Sequence, residues 1–423
     1  MALGAFSADD IASSEKHNKL SGVIRNGVYL NSCERVLAAL ELREPDRVPL
    51  YEMHVPPPIS ARILGRDPDE VLLHNPLLRL EISMTKRDVS VEELNERIAK
   101  ELLEVSTRIG LDWIRVVGGI ARKPKQVEKV RDDLWIVNGV EYKWSGGTIW
   151  SSQEPQRYDP REVYRWSRES RLEISEHVFD VLRWIAKRTK GKVFLSFDAD
   201  GTWGPIVSRP VLLRHVLTWM YRRPEVVEAL IQRFTREAIE VGKWAIDEGA
   251  DAIQLCVDYG NKRGPWMSPD MFRKFVKPAL EAHCKAFKRK GAFVILHSDG
   301  NISPLLKDIV EAGVDAYQGI DVMAGMDLEE IKAKYGDRIC LVGNVDPRVI
   351  EFGSKEDVKR EVDRCLSQAG PGGGYILSAS ANISANTNFK NFIHMLEYAR
   401  RRGKYPLPGI LGERTALSSA KGA

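Results

Sequence analysis

The sequence predicts an α/β protein folded as a (β/α)8 barrel of the TIM type. Eight short segments rich in β-branched and aromatic residues recur along the chain, and each is followed by a segment with helical periodicity. Strands that alternate with helices form parallel sheets, and eight such units close a barrel. A doubly wound open sheet is the alternative that the same alternation allows. The predicted strands are residues 48–52, 113–118, 192–200, 252–258, 293–299, 316–321, 339–346 and 374–380.

Two of the intervening segments carry clear helix signals. Residues 224–250, which begin PEVVEALIQRF, place apolar side chains about every 3.6 positions before a stop at Gly249. Farther along, Ser354 is a predicted N-cap followed by an acidic first turn, and Gly370 marks the end of that helix. These segments therefore predict the amphipathic helices that cover a parallel sheet.

Three stretches fall outside the strand–helix alternation. Residues 124–152 contain the dipeptide NG at 138–139, which is typical of a type I′ hairpin, so they predict an antiparallel β insertion on the barrel. Residues 1–31 are predicted to be an N-terminal helical arm and residues 406–423 a C-terminal tail. The remainder, residues 32–405, is predicted to be a single barrel domain.

The composition limits the kinds of molecule that the protein is expected to bind. The 423 residues include 63 basic and 59 acidic side chains, a formal net charge of +4 that is too balanced for a nucleic-acid-binding protein. Five scattered cysteines argue against a disulfide framework and favour a reducing, cytoplasmic location. No apolar run approaches the length of about 18 residues that a membrane span needs. We therefore expect a globular protein without nucleic-acid or membrane partners.

Polar residues close nearly every predicted strand. Side chains two positions apart on a strand face the same side, and the carboxyl ends of all strands in a parallel barrel meet on one face. His297 and Asp299 are the clearest pair, since both can bind a metal or move a proton. Helix capping and turn formation are the competing explanation, most evidently for Asp346, which precedes a proline. The strand ends offer Glu52, His54, Asp198, Cys256, Asp258, Tyr259, His297, Asp299, Asn344, Asp346, Ser380 and Asn382.

Several segments resemble one known superfamily, and they occur in its order over most of residues 33–402. They are RVLAALELREPDRVPL, GPWMSPDMFRKFVKPAL, ILHSDGNISPLLKDIVEAGVDAYQGI, LVGNVD and GGGYILSASANI. The chain thereby resembles uroporphyrinogen decarboxylase and the related corrinoid- and thiol-directed methyltransferases. The resemblance implies a (β/α)8 barrel with its site at the strand ends, in proteins that often form homodimers.

The departures from the decarboxylase pattern favour the methyltransferase branch. Decarboxylases of this family carry the segment RQAGRY after the first strand, where it grips the propionates of the tetrapyrrole. This chain has YEMHVPPPISARILGR there, with Arg62 and Arg66 as the available cations. The aspartate-bearing loop of the decarboxylases also has no counterpart in IRVVGGIARKPK. Selecting a molecule with many carboxylates requires several guanidinium groups.

The zinc signature of the methyltransferase branch is altered as well. Members that activate a thiol hold zinc through a His-x-Cys pair and a later cysteine near strand eight. This chain has His297 and Asp299 at the first place and SASANI at the second. The sequence therefore predicts zinc or another divalent metal at His297 and Asp299, with Cys256 as the third ligand and Asp258 or Glu52 as alternatives. A metal-free His–Asp general acid is the other hypothesis.

These observations predict a methyltransferase that demethylates a small O- or N-methylated compound, a methoxyaromatic among the candidates. The chain lacks the corrinoid-binding D-x-H-x-x-G signature, so the methyl group is expected to pass to a corrinoid on a partner protein. A uroporphyrinogen decarboxylase-like enzyme and a non-catalytic barrel subunit stay open as alternatives. The predicted catalytic residues are His297, Asp299 and Asp258, and the predicted substrate-binding residues are Glu52, His54, Asp198, Tyr259, Asn344, Asp346, Ser380 and Asn382.

Overall fold

A parallel sheet of seven strands forms the centre of the protein. The computed structural model describes residues 30–75, 78–79, 81–82, 88–145, 148–151, 154–189 and 191–407. Along the sheet the strands lie in the order β1-β6-β7-β10-β11-β12-β13, and every neighbouring pair is parallel. They are β1 (Trp113–Val116), β6 (Phe194–Asp198), β7 (Ala252–Cys256), β10 (Phe293–Ser298), β11 (Ala316–Gly319), β12 (Cys340–Val342) and β13 (Tyr375–Ile376).

The segment predicted as the first strand lies between the two edges of this sheet. Leu50 forms a parallel bridge with Leu377, just beyond β13, and Tyr51 forms one with Trp113 in β1. The backbone N–H of Tyr51 donates to the carbonyl oxygen of Leu377 at 3.0 Å. Pro49 has no N–H to donate, and its carbonyl oxygen accepts from the N–H of Leu377 at 3.0 Å. The sheet is therefore curled, and the α/β fold is consistent with a TIM-type barrel.

Helices follow the strands as the sequence predicts. Ser354 caps its helix through a capping box with Asp357, and the helix predicted over residues 224–250 spans Pro224–Asp247. The helices are α1 (Ser32–Leu40), α2 (Pro57–Leu64), α3 (Val91–Ile109), α4 (Pro160–Glu169), α5 (Asp180–Thr189), α6 (Gly204–Val207), α7 (Pro210–Arg222), α8 (Pro224–Asp247), α9 (Pro269–Met271), α10 (Lys277–Lys288), α11 (Leu306–Glu311), α12 (Leu328–Tyr335), α13 (Pro347–Phe352), α14 (Lys355–Ala369) and α15 (Phe389–Arg402). None of the described helices is both long and apolar enough to cross a membrane.

Helix α1 covers the amino end of the sheet. Its apolar residues, Val36 and Ala39 among them, pack with inward-facing strand residues such as Trp113 in one buried cluster. The wholly buried carboxylate of Asp112 fixes the helix in place, because it forms an ion pair of 2.7 Å with Arg35 of α1. A larger apolar core lies between the sheet and the surrounding helices. The polar residues that follow the strands lie at the carboxyl end of the sheet, opposite the end that α1 covers.

The antiparallel insertion is present where the sequence predicts it. Four strands form a separate sheet in the order β2-β3-β4-β5. Asn138 and Gly139 both have positive φ, of 52° and 79°, as a type I′ turn between two strands requires. Nearly all of the predicted N-terminal arm and of the C-terminal tail lies outside the described residues. The other strands are β2 (Val127–Arg131), β3 (Leu134–Val137), β4 (Val140–Ser145), β5 (Thr148–Ser151), β8 (Gly260–Asn261) and β9 (Gly264–Pro265).

Candidate functional site

Three side chains from two neighbouring strands meet at the carboxyl end of the sheet. Nε2 of His297 in β10 lies 3.5 Å from Oδ1 of Asp258 and 3.9 Å from Oδ2 of Asp299. Asp258 follows β7 with a positive φ of 36°, and its Oδ1 accepts a hydrogen bond of 2.9 Å from the N–H of Asp299. Ligand atoms of all three residues lie within 4.8 Å of one another. We call this group the His–Asp–Asp cluster.

The imidazole in the cluster is held in one orientation. Nδ1 of His297 hydrogen-bonds Oε1 of Gln318, its register partner in β11. A side-chain carbonyl oxygen only accepts, so Nδ1 donates to it and Nε2 is the ring nitrogen that faces the two carboxylates. The two strands approach closely here, since a β-carbon at Gly319 would clash with the carbonyl oxygen of Ser298. His297 is only 3% exposed, and its ring is therefore fixed before any ligand binds.

The cluster has the properties of a divalent-metal site. Oδ1 of Asp299 is buried and has no hydrogen-bond partner among the described residues. Burial raises the pKa of Asp299 to about 6, with His297 lowering it and Asp258 and Asp321 raising it. One imidazole nitrogen and two carboxylates suit zinc or a harder divalent ion, and a cation would offset the repulsion between the carboxylates. The donor set therefore fits a metal held by Asp258, His297 and Asp299.

Cys256, the predicted third metal ligand, belongs to a different group of side chains. Its Sγ donates to Oδ2 of Asp198 at 3.4 Å and accepts from Nη2 of Arg115 at 3.3 Å, while Arg115 and Asp198 form a buried ion pair. Burial and the charge of Asp198 raise the pKa of the Cys256 thiol well above its ordinary value, so the protonated form persists. The cluster instead contains Asp258, because the backbone turns at that residue. The contacts of Cys256 therefore differ from the sequence prediction that it is the third metal ligand.

A large cavity of about 870 Å³ is lined by Arg115, and by none of the residues of the His–Asp–Asp cluster. His54 and Asn382, two of the predicted substrate-binding residues, also line this cavity. The rings of His54 and His74 lie 4.2 Å apart between centroids. Burial lowers the pKa of His54 to about 4 and holds that of His74 well below its ordinary value, so both rings are neutral near pH 7. The cavity can therefore receive a small molecule beside neutral hydrogen-bonding groups.

Two other predicted substrate-binding residues, Glu52 and Ser380, are buried near the junction of the sheet edges. Oε1 of Glu52 accepts a hydrogen bond of 2.9 Å from the N–H of Ala379. Burial raises the pKa of Glu52 to about 8, so its carboxyl group is protonated at neutral pH. The hydroxyl of Ser380 is buried without a hydrogen-bond partner in the part of the chain that the structure describes.

Asn344 and Asp346 have structural contacts where the sequence predicts substrate binding. Nδ2 of Asn344 donates to the carbonyl oxygen of Ile320 at 3.1 Å, and its Oδ1 accepts from Arg364 at 3.1 Å. Asp346 is the N-cap of α13 and pairs with the guanidinium of Arg348. The capping explanation weighed for Asp346 thus describes the contacts observed.

Tyr259 also lies away from the cluster. Its ring packs edge-on against Phe272, with 5.1 Å between centroids, in the core between sheet and helices. A side chain that follows Asp258 directly faces the opposite side of the chain, which explains why the two separate. The sequence predicts that Tyr259 binds substrate, whereas the structure places its side chain in the apolar core.

Sequence reasoning missed three residues around the site: Arg115, Gln318 and His74. The first two face inward because each stands two positions after an inward-facing residue, Trp113 and Ala316 respectively. A polar residue within such an alternating strand is a usable signal, and it could have found both. His74 follows no strand and no periodic segment, so its place beside His54 could not be read from the sequence.

Comparison with known proteins finds one family and one shared fold. The family model "Uroporphyrinogen decarboxylase (URO-D)" matches residues 137–402. Uroporphyrinogen decarboxylase of Chlorobium luteolum is 26% identical over 185 residues, which cover 43% of this chain and 50% of that protein. The chloroplastic uroporphyrinogen decarboxylase 2 of Arabidopsis thaliana is 30% identical over 182 residues, 43% of this chain and 44% of that protein. The chain thus spans about half the length of the curated relatives it matches.

A solved structure extends the comparison over more of the chain. A methyltransferase from Methanosarcina mazei superposes with a TM-score of 0.64 and 18% sequence identity. The superposition covers 88% of this chain and 99% of that one. At this identity the likeness shows a common fold.

Proposed function

The chain belongs to the uroporphyrinogen decarboxylase family, and from that premise we propose that it is a methyltransferase that demethylates a small O- or N-methylated compound. The methyl group passes to a corrinoid on a partner protein. The observation that carries this proposal is the His–Asp–Asp cluster, in which the carboxylates of Asp258 and Asp299 lie 3.5 Å and 3.9 Å from Nε2 of His297. A methoxyaromatic compound is one candidate donor.

The chemical argument concerns the leaving group. A methyl ether is a poor methyl donor because a basic oxygen must leave, and stabilising its developing charge lowers the barrier. Asp258, His297 and Asp299 would hold a divalent metal, which would supply Lewis acidity for this purpose. Gln318 holds the imidazole so that Nε2 faces the carboxylates, as partners behind metal-binding histidines do.

The large cavity is the proposed binding place of the methyl donor. Its volume of about 870 Å³ is within the range of small-molecule sites. His54 and Asn382 line it and orient the donor through neutral hydrogen bonds. Arg115 lines the cavity and contacts Cys256, whose register partner in β10 is His297. The common fold with a methyltransferase supports the proposal that this chain transfers a methyl group.

Metal content and methyl transfer together test the proposal. The purified full chain is supplied with zinc, cob(I)alamin or corrinoid proteins, and a panel of methoxylated aromatics and methylated amines. Methylcobalamin formation is followed by absorbance. We expect transfer that a chelator abolishes and that His297→Ala removes together with the bound metal. His215→Gln, on helix α7, is the matched histidine control. Failure of every donor in the presence of metal would contradict the proposal.

A tetrapyrrole decarboxylase is the second candidate, favoured by the names of the curated relatives. The arginines that line the large cavity in the described part of the chain are Arg79 and Arg115, and Arg115 is paired with Asp198. This is a small cationic complement for a substrate with many carboxylates. Conversion of uroporphyrinogen to coproporphyrinogen in the presence of a chelator would identify the decarboxylase.

Three further expectations belong to the same proposal: a homodimer, a single barrel domain over residues 32–405 and a cytoplasmic location. A non-catalytic barrel subunit is the remaining alternative. It predicts that the purified protein binds no metal and that His297→Ala leaves its function intact.

A further inference from the structure

Glu52 is a buried acid that the proposed metal chemistry does not use. It is 5% exposed, and its Oε1 accepts a hydrogen bond from the N–H of Ala379. A carboxyl group is rarely buried unless a partner or a function compensates for its lost hydration. Glu52 therefore calls for an explanation beyond packing.

A small cavity lies beside this carboxyl group. It measures about 20 Å³, and Glu52, His74, Ser106 and Arg115 are its polar lining residues. A cavity of this size holds one water molecule if two to four polar groups can bind it. Arg115 has such a group to offer, because its Nε is buried without a hydrogen-bond partner among the described residues. The lining thus suits a single bridging water.

The small cavity and the large cavity share part of their walls. His74 and Arg115 line both of them. The ring of His74 also contacts that of His54, which faces the large cavity. Glu52 and the proposed donor site therefore lie beside two cavities that His74 and Arg115 both line.

We propose that Glu52 delivers a proton to the leaving oxygen of the methyl donor, through one water in the small cavity and the imidazole of His74. This inference rests on the proposed function. The C–O bond of the methyl ether breaks, and its electron pair stays on the oxygen. The methyl group bonds to cobalt(I) of the corrinoid, which is thereby oxidised to cobalt(III).

The proton moves in three transfers, after which Glu52 is a carboxylate and His74 is neutral in its other tautomer until both exchange protons with solvent. Glu52 gives its proton to the water, and the water gives one to the unprotonated ring nitrogen of His74. The other ring nitrogen of His74 gives its proton to the leaving oxygen. Glu52 then regains a proton from solvent.

The titration behaviour of the groups involved supports this route. Burial raises the pKa of Glu52 to about 8, so the proton is present at neutral pH. Burial lowers the pKa of His74 well below its ordinary value, which leaves one donor and one acceptor nitrogen for the relay. Across the small cavity the other titratable lining residue is Arg115, whose charge is paired with Asp198. Ser106 and the N–H of Ala379 are neutral.

Infrared spectroscopy tests the Glu52–His74 connection without any turnover. We expect the full chain to show a carboxylic-acid carbonyl band that disappears as the pH rises through about 8 and that is absent in Glu52→Gln. His74→Phe should shift the frequency of this band, because the water loses a partner. Asp200→Asn is the control, since Asp200 is another acid whose pKa burial raises, to about 7, and it lines neither cavity. A missing band, or one that His74→Phe leaves unchanged, would overturn the connection.

The pH dependence of methyl transfer tests the proton donation itself. With an O-methyl donor, kcat should fall as the pH rises above about 8. Glu52→Gln should lower kcat by about 100-fold, remove this decline and leave KM unchanged, while Glu52→Asp restores part of the rate. A wild-type pH profile in Glu52→Gln would overturn the donor role. Absence of methyl transfer with the expected infrared response would contradict the proposed function and leave the Glu52–His74 connection standing.

Discussion

Nδ1 of His297 and Oε1 of Gln318 are joined by a hydrogen bond between register partners on adjacent parallel strands. The contact decides which ring nitrogen faces the carboxylates of Asp258 and Asp299. Because both strands are buried in the sheet, the orientation is set by the fold and does not depend on a bound ligand. Gln318, which holds the imidazole of His297, is therefore as informative about a metal site as the His–Asp–Asp cluster itself.

Replacing Gln318 should weaken metal binding without removing a ligand. Gln318→Leu takes away the acceptor for Nδ1–H, and we expect zinc affinity to fall by about 10- to 100-fold, the usual effect of losing such a partner. Gln318→Glu keeps an acceptor and should retain most of the affinity. Competition with a chromophoric chelator measures the constants. Equal affinity in Gln318→Leu and the wild-type protein would show that the contact has no role in metal binding.

Variants of two nearby residues, Asp258 and Cys256, should identify the third metal ligand. Asp258→Asn should release the metal, whereas Cys256→Ser should retain it, because Sγ of Cys256 faces Asp198 and Arg115. Elemental analysis after gel filtration gives the stoichiometry. The reverse pattern would restore Cys256 as the ligand.

Glu52 should make the stability of the protein depend on pH. Its pKa is about 8 in the folded chain, above the ordinary value of 4.5. Between these two values the folded state holds a proton that the unfolded state has lost, so the free energy of unfolding should decrease as the pH rises from about 5 to about 8. Urea denaturation of wild-type protein and Glu52→Gln measures this, and the variant should show a flatter dependence. Parallel curves would mean that Glu52 is ionised when folded.

Removing one partner of the buried ion pair between Arg115 and Asp198 should lower the free energy of unfolding strongly. Their side chains are 10% and 4% exposed. Arg115→Met leaves the carboxylate of Asp198 without its cation, and we expect a loss of about 3–5 kcal/mol in the free energy of unfolding. The double variant Arg115→Met/Asp198→Leu should recover most of this loss. Chemical denaturation compares them, and additive losses would contradict the pairing.

Asn344 should prove to be a structural residue. Asn344→Ala leaves the carbonyl oxygen of Ile320 without its side-chain donor and Arg364 without one acceptor, at a cost of about 1–3 kcal/mol in the free energy of unfolding. Metal content and donor binding should stay unchanged. A raised KM with normal stability would instead return Asn344 to the substrate site.

The sequence predicted the strand pattern well because the pattern is local. Seven of the eight predicted apolar segments contain strands of one parallel sheet, and the eighth, containing Pro49, forms bridges to both edges. Buried strands need continuous apolar runs, and these are visible without knowledge of the rest of the fold. The insertion was equally predictable, since Asn138 and Gly139 determine their turn by themselves.

The site was predictable only in part, because strand-end residues look alike in sequence. His297 and Asp299 were predicted together and lie together. Asn344 carries the same signal but bonds Arg364, on a helix that strand-end patterns do not reveal. Cys256 and Asp258 stand two residues apart and were expected to share a face. The positive φ at Asp258 redirects its carboxylate, and such a backbone change has no simple sequence marker.

The apolar packing of helix α1 against inward-facing residues such as Trp113 has a kinetic consequence. With that end covered, the methyl donor and the corrinoid-bearing protein of the proposed function are both expected to approach from the carboxyl end of the sheet. Under the proposed function the donor therefore has to enter before the second protein docks, and the demethylated product leaves after that protein has departed. Turnover should accordingly slow when the docking protein is in large excess over the donor.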